Sequence, residues 1–395
     1  MRLYRNLCEA VIEALGQVFV QNKYADKVIE KVLKENPKWG ARDRKFIAET
    51  IYDIVRWYRL FVSVSKSRDD DFWKLLGIWC VWNEISLPPW TEFKNVDADQ
   101  IKDLYQEVEG ERKIRESIPD WLDELGQKEL GEKWEKEIHA LNEEAQVVLR
   151  VNTIKVTRQK LQEELADEEI FTKAPKEFPD ALLLEHRQNI FTRQQFKDGL
   201  FEVQDAGSQL IAPFLKVEPG HRVIDACAGG GGKTLHLAAL MQNKGRIIAM
   251  DTEGWKLEEL KKRARRAGVG NIETRVIESS KTIKRLENSA DRLLLDVPCS
   301  GLGVLKRNPD AKWKLSLDFI EKVKSTQQKI LSQYSGMLKS GGLMVYSTCS
   351  ILPSENEKQV EKFLSDSKSF QLIEQNTVNP SQGFDGFYMA LLKRA

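Results

Sequence analysis

The sequence is poor in residues that hold metals. Its 395 residues include four histidines and five cysteines (Cys8, Cys80, Cys227, Cys299 and Cys349), and no two cysteines form a C-x-x-C pair. No zinc-type ligand spacing is present, so no metal is expected. An odd cysteine count without a secretory leader points to free thiols. Long apolar runs are also missing, and the opening MRLYRNLCEAVIEALG is too interrupted by charge for a secretory signal. The expectation is a cytoplasmic chain with no membrane partner. Charge of one sign is lacking too: the formal net charge is +1. There is no overall basic field, so any nucleic-acid binding must come from local patches. Internal repeats and low-complexity tracts are absent. The length suits two or three domains, each large enough to bury a core.

Residues 1–140 read as helical. Leu7, Val11, Ile12, Leu15 and Val18 recur at helical spacing, as do Phe46, Ile47, Ile51, Ile54 and Val55. Trp73, Trp79, Trp82 and Trp90 read mainly as core, and Cys8 and Cys80 as small buried hydrophobes. Residues 145–215 read as a small α+β unit, with strands at Val147–Val156, Glu169–Lys173 and Ala181–Glu185 and a helix between Arg158 and Glu168. A stretch around Phe191 to Gln209 links it onward. From residue 216 to 395 strands and helices alternate: strands at His221–Asp225, Gly245–Asp251, Ile272–Ile277, Asp291–Asp296, Gly342–Ser347 and Phe387–Leu392. Such alternation predicts a mostly parallel sheet covered on both faces, with ligands at the carboxyl ends of its strands.

One loop at such an end is DACAGGGGKT, Asp225 to Thr234. Its close resembles a P-loop, but the pattern G-x-x-x-x-G-K-[ST] would need a glycine at position 227, which is Cys227. An adenosyl-cofactor turn fits better. The strand ends on Asp225, and glycines let the backbone pass close to a ligand. A second acid to hold ribose hydroxyls is expected roughly 20 residues on, and Asp251 closes the second strand. Glu278, after the third strand, is the candidate near the adenine. The cofactor-binding set is therefore Cys227, Ala228, Gly229, Gly230, Gly231, Gly232, Lys233, Asp251, Glu278 and Asp296.

Two further strands end on cysteines. One runs into Asp296-Val-Pro-Cys299-Ser-Gly-Leu-Gly303, the other into Tyr346-Ser-Thr-Cys349-Ser350. A cysteine just past an apolar strand, at the ligand edge, is poorly explained as inert core. The segments DVPCSGLGVLKRNPDAKW and YSTCSILPSENEKQVEKFL resemble the signature segments of the Sun-type (RsmB-like) RNA cytosine-5 methyltransferases. CAGGGGKT is similar to that family's CAxPGGKT, and LRVNTIK, VQDAGSQ and GFDGFYMALLKR resemble its other segments. The likeness covers about residues 145 to 395, with six separated segments in order. The N-terminal part, with GARDRKFIAETIYDIVRW, is similar to the NusB-like domain of RsmB-type members.

The resemblance implies an α/β, Rossmann-like S-adenosylmethionine methyltransferase domain, preceded by a small α+β (RRM-like) RNA-binding unit and an all-helical N-terminal domain. It implies S-adenosyl-L-methionine as cofactor and RNA as partner, ribosomal RNA of the small subunit first. Transfer RNA, or a non-catalytic RNA-binding assembly role, are the alternatives. Cys349 would be the nucleophile that adds to carbon 6 of cytosine, and Cys299 would assist release of the methylated base. Asp296 would hydrogen-bond the N3 and amino edge, and Lys233 would favour the thiolate. Gly230 stands where the family has proline, which implies a looser loop. For the RNA phosphates the candidates are Lys256, Lys261, Lys262, Arg263, Arg265 and Arg266 on one helix, and Lys306, Arg307, Lys312 and Lys314 in the loop after Cys299. Arg150 and Asn152 join them from the small unit. A monomer is expected.

Overall fold

A computed structural model describes residues 1–66 and 70–395. Two compact units emerge, Met1–Glu143 with Leu305–Leu317, and Glu144–Val304 with Asp318–Ala395.

The first unit is helical. Helices Arg5–Phe19, Ala25–Glu35, Ala41–Arg56, Tyr58–Ser65 and Phe72–Trp82 share one core. The periodic residues Leu7, Val11, Leu15, Val18, Ile47, Ile51, Ile54 and Val55 are all buried there, while Ile12 and Phe46 pack at its margin. Helix Phe72–Trp82 is apolar almost all round and is capped by Asp71, whose carboxylate accepts from the Lys74 N–H (3.2 Å). Trp79 is buried, Trp90 stacks on Phe93 with Trp73 edge-on to both, and Trp82 is exposed. Cys8 and Cys80 are fully buried, and burial pushes their thiols up to about 11 and about 12.

The segment 305–317 belongs to this helical unit. Trp313 packs edge-on to Tyr58 and donates to the Val55 carbonyl (2.7 Å). Asp310 accepts from the Ala25 N–H (3.0 Å) and so caps helix Ala25–Glu35. Lys312 is 1% exposed, donates to Asn142 Oδ1 (3.2 Å), and is pushed well down by burial and by Arg56. Lys306 is buried beside Glu143 (3.3 Å), and Lys314 donates to the Val18 carbonyl (3.4 Å). These three lysines are a correction to the phosphate-binding expectation: their ammonium groups satisfy oxygens of the helical unit.

The second unit contains two sheets. The smaller consists of β1 (Val148–Val151), β2 (Thr172–Lys173), β3 (Ala181–Leu184) and β4 (Phe201–Val203), antiparallel in the order β2-β3-β1-β4. Every residue of β1 is buried. The larger contains β5 (Arg222–Asp225), β6 (Arg246–Asp251), β7 (Ile272–Val276), β8 (Ala290–Asp296), β9 (Leu338–Thr348), β10 (Phe370–Val378) and β11 (Phe387–Arg394). Its order is β10-β11-β9-β8-β5-β6-β7. β5 to β9 are parallel and β11 is antiparallel to both its neighbours. Fully buried runs such as Ile247–Met250 and Leu293–Leu295 are what a parallel sheet covered on both faces demands. β5 leads to β6 on one side and lies against β8 on the other, so the crevice of this doubly wound sheet opens at the carboxyl ends of β5, β6 and β8. Among the described residues, no helix is long and apolar enough to cross a membrane.

Candidate active site

Asp225, Asp251, Asp296 and Thr348 are the last residues of β5, β6, β8 and β9, so all four lie on one edge of the sheet. The glycine loop crosses this edge between β5 and helix Gly232–Leu240. Gly229 (φ 53°) and Gly231 (φ 83°) are left-handed, which favours glycine. A Cβ on Gly231 would lie 2.5 Å from Leu260, whereas the side of Gly229 is open. The loop is pinned to β6 twice, by the Ala228 N–H to the Met250 carbonyl (2.8 Å) and by the Gly229 N–H to Asp251 Oδ2 (2.9 Å). Asp251 also accepts from the Glu253 N–H (2.9 Å). Ile277 donates to the Asp251 carbonyl (2.9 Å), which leaves the exposed Glu278 next along this edge.

Two arginines hold the loop from its other side. Arg263 donates to the Gly230 carbonyl (2.6 Å), and Arg150 donates to the Gly232 carbonyl and to Gln204. Glu202, buried, pairs with Arg263 (3.0 Å) and Arg266 (2.5 Å). Arg150 is itself buried, and Asn152 donates to the carbonyls of Gly199 and Ala267 (both 2.8 Å). Arg150, Asn152, Arg263 and Arg266 therefore brace the protein's own backbone and carboxylates, a second correction to the RNA-contact expectation. Lys261 and Lys262 remain exposed beside Glu258 and Glu259.

Lys233 lies in the first turn of the helix after the loop. Its ammonium lies 2.6 Å from Asp296 Oδ2, and Ser347 donates to the other oxygen of Asp296 (2.9 Å). Burial pulls Lys233 down, but Asp296, Cys349 and Asp225 outweigh it and hold it above its ordinary value. Asp225 accepts from the Thr234 hydroxyl (2.7 Å), and burial, with Asp296 nearby, pushes its carboxyl up to about 7. Burial, then Asp225, Asp296 and Asp251, push the Cys227 thiol well up, which makes it the wrong thiol for a nucleophile.

The other two cysteines meet. Cys299 Sγ and Cys349 Sγ are 3.2 Å apart, and the Cys349 N–H points at Cys299 Sγ (3.3 Å). The contact with Cys349, then burial and the charge of Glu355, push the Cys299 thiol well up. The two turns share the pattern Cys-Ser-x-Leu, at 299–302 and 349–352. In each, the serine hydroxyl accepts from the leucine N–H two residues on (3.3 and 3.2 Å). Glu355 and Ser347 were not among the expected site residues, and Arg263 and Arg150 were expected at RNA phosphates rather than on the glycine loop. The repeated Cys-Ser-x-Leu was a readable sign of matched turns, while nothing in Ser354-Glu-Asn-Glu357 marks a buried carboxylate.

The edge has what a bound adenosyl cofactor needs: an open flank at Gly229, a carboxylate at Asp251 and glycine backbone between them. Residues 212–393 match the family model of the 16S rRNA methyltransferase RsmB/F, and residues 118–191 match its ferredoxin-like domain. A probable ribosomal RNA small subunit methyltransferase B of Synechocystis sp. is 31% identical, covering 95% of this chain and 96% of the relative. The corresponding protein of Vibrio cholerae is 32% identical over 70% of this chain and 65% of its own. A methyltransferase homolog protein from Pyrococcus horikoshii superposes with a TM-score of 0.64 at 27% identity, over 72% of this chain and 98% of that one. NSun6 from the same organism, solved with SFG, gives 0.65 at 22% identity over 70% and 98%, a likeness of fold. The chain belongs to the RsmB/F, or Sun-type, family of ribosomal RNA small-subunit methyltransferases.

Proposed function

We propose that this protein transfers a methyl group from S-adenosylmethionine to carbon 5 of a cytosine in small-subunit ribosomal RNA, through a transient bond between Cys349 Sγ and carbon 6. The observation that carries the proposal is the meeting of Cys299 and Cys349 at 3.2 Å, on the edge where Lys233 pairs with Asp296.

Carbon 5 of cytosine is a poor nucleophile. Addition of a thiolate to carbon 6 makes carbon 5 an enamine carbon, which splits one hard step into easier ones. Cys349 attacks as the thiolate, and the Lys233 ammonium is the cation that senses it. Asp296 accepts from both Lys233 and Ser347, so it is held as an acceptor at the end of β8. From there it accepts from the cytosine amino group and, as sulfur adds, from the N3–H formed when water protonates N3, which favours cytosine over uracil. S-adenosylmethionine, held by residues 227–232 with Asp251 and Glu278, supplies an electrophilic methyl group when bound. After carbon 5 has been methylated its proton passes to water, the carbon 6–sulfur electron pair returns to Cys349 as thiolate, and N3 gives up its proton as the ring is restored. Cys299, in contact with Cys349, assists this release. The base must be extruded or single-stranded to reach the crevice.

The test is transfer of tritium from methyl-labelled S-adenosylmethionine to small-subunit RNA lacking the modification, followed by digestion to nucleosides. Label in 5-methylcytidine supports the reading. Label in another nucleoside, or none in RNA, overturns it.

A further inference from the structure

Glu355 is fully buried, yet it belongs to neither the cofactor loop nor the thiol pair. Its carboxylate accepts from the Ser300 N–H (2.8 Å), the Ser300 hydroxyl (2.5 Å), the Ser350 hydroxyl (2.5 Å) and Gln327 Nε2 (3.0 Å). Every one of these partners donates, so the position is built for a carboxylate. Ser300 and Ser350 each directly follow one of the two reactive cysteines. Gln327 also donates to the Pro298 carbonyl (3.1 Å), on the other side of Cys299. The Glu355 end of this clamp is fixed in turn: Tyr346 donates to the Glu355 carbonyl (2.6 Å), and Asn356 donates to the Ser350 carbonyl (2.9 Å). One carboxylate thus joins the turn after β8 to the turn after β9.

We propose that Glu355 is a positioning residue that holds the Cys299 and Cys349 turns in register, so that one thiol can attack while its neighbour stands ready for release. The proposal rests on the cytosine-5 reading above. The carboxylate acts through the backbone of the two turns, not on the base. A turn with one loosened end would shift its sulfur, and a misplacement of about 1 Å is enough to cost roughly 100-fold in rate. The negative charge of Glu355 has a second effect, since it helps to keep Cys299 as the thiol.

The experiment compares wild type with Glu355→Gln and Glu355→Asp. S-adenosylmethionine affinity, measured by calorimetry, serves as the folding check. Two readouts follow: kcat and KM for RNA methylation, and the pH midpoint for alkylation of Cys299 by iodoacetamide in a Cys349→Ala background. Glutamine turns one acceptor into a donor, so we expect kcat to fall roughly 100-fold with KM changed less than about threefold. The alkylation midpoint moves to lower pH. Aspartate, one methylene short, keeps the charge and recovers part of kcat. Wild-type kcat in Glu355→Gln, or an unmoved midpoint, overturns the proposal. If Glu355→Gln loses cofactor binding through misfolding, Ser350→Ala carries the test: a loss in kcat without one in KM supports the clamp, and unchanged kcat overturns it. If wild type forms no RNA adduct, the cytosine-5 reading fails, and the alkylation midpoint still decides whether Glu355 acts on Cys299.

Discussion

The glycine loop and the paired cysteine turns solve the same mechanical problem with opposite charges. Both are irregular backbone at the carboxyl edge of one sheet, and both must hold reactive groups still. The glycine loop has four consecutive glycines and little intrinsic stiffness. It is held by cations on its carbonyls, Arg263 on Gly230 and Arg150 on Gly232, with Glu202 binding Arg263 and Arg266 behind them. The cysteine turns are held by an anion on their donors, Glu355 on Ser300 and Ser350. The difference teaches that the glycine loop shares its bracing between two arginines, Arg263 partly exposed and Arg150 buried, whereas the cysteine turns hang on one fully buried carboxylate. Losses on the cofactor side should therefore be graded and repairable, and losses on the base side abrupt.

The sharpest break comes where the two regions touch, at Lys233 and Asp296. Asp296→Asn keeps the shape but removes the charge that faces Lys233. We expect kcat to fall by a factor on the order of 10²–10³ and stability to fall by about 2 kcal/mol. Steady-state kinetics and urea denaturation check this, and near-normal kcat would remove Asp296 from the mechanism. A graded effect is expected at Arg263. Arg263→Gln should weaken S-adenosylmethionine binding about tenfold, the worth of one charge-assisted hydrogen bond, with kcat little changed at saturation. Adding Gly230→Pro to that variant should restore part of the affinity, because proline stiffens the unfolded and the free loop alike. Calorimetry of the single and double variants gives the answer, and no recovery would show that the guanidinium does more than brace the loop.

The smallest effect concerns pH. The folded Asp225 carboxyl is pushed up to about 7 from 3.8, so the folded chain holds a proton that the unfolded chain gives up. Its contribution to stability is therefore greatest below about pH 4 and declines as pH rises through 7. Asp225→Asn should flatten this decline in melting temperature between pH 5 and 8. A wild-type curve no steeper than the variant's would contradict it.

Much of this architecture is readable without coordinates, for a physical reason. β5, β6 and β8 are short apolar runs that end on an acid, the signature of buried parallel strands meeting a ligand crevice. β10 escaped, because Phe370–Val378 lies at the sheet edge, is mostly exposed and does not alternate cleanly between apolar and polar residues. β4 was hidden in a linking stretch, since only its pairing with β1 makes Phe201–Val203 a strand. Lys306, Lys312 and Lys314 read as a phosphate-binding patch, yet Trp313 and Asp310 anchor their segment in the helical unit. Glu355 shows the same limit from the other side. A glutamate among polar residues looks exposed until the two cysteine turns close over it.

The most direct measurement is a denaturing gel of labelled RNA incubated with wild type, Cys349→Ala and Cys299→Ala, each with S-adenosylmethionine. The account predicts that Cys349→Ala yields neither methylated RNA nor a covalent protein–RNA band, while Cys299→Ala accumulates the band because release is slowed. A band that survives in Cys349→Ala and vanishes in Cys299→Ala would reverse the roles of the two thiols and contradict the account.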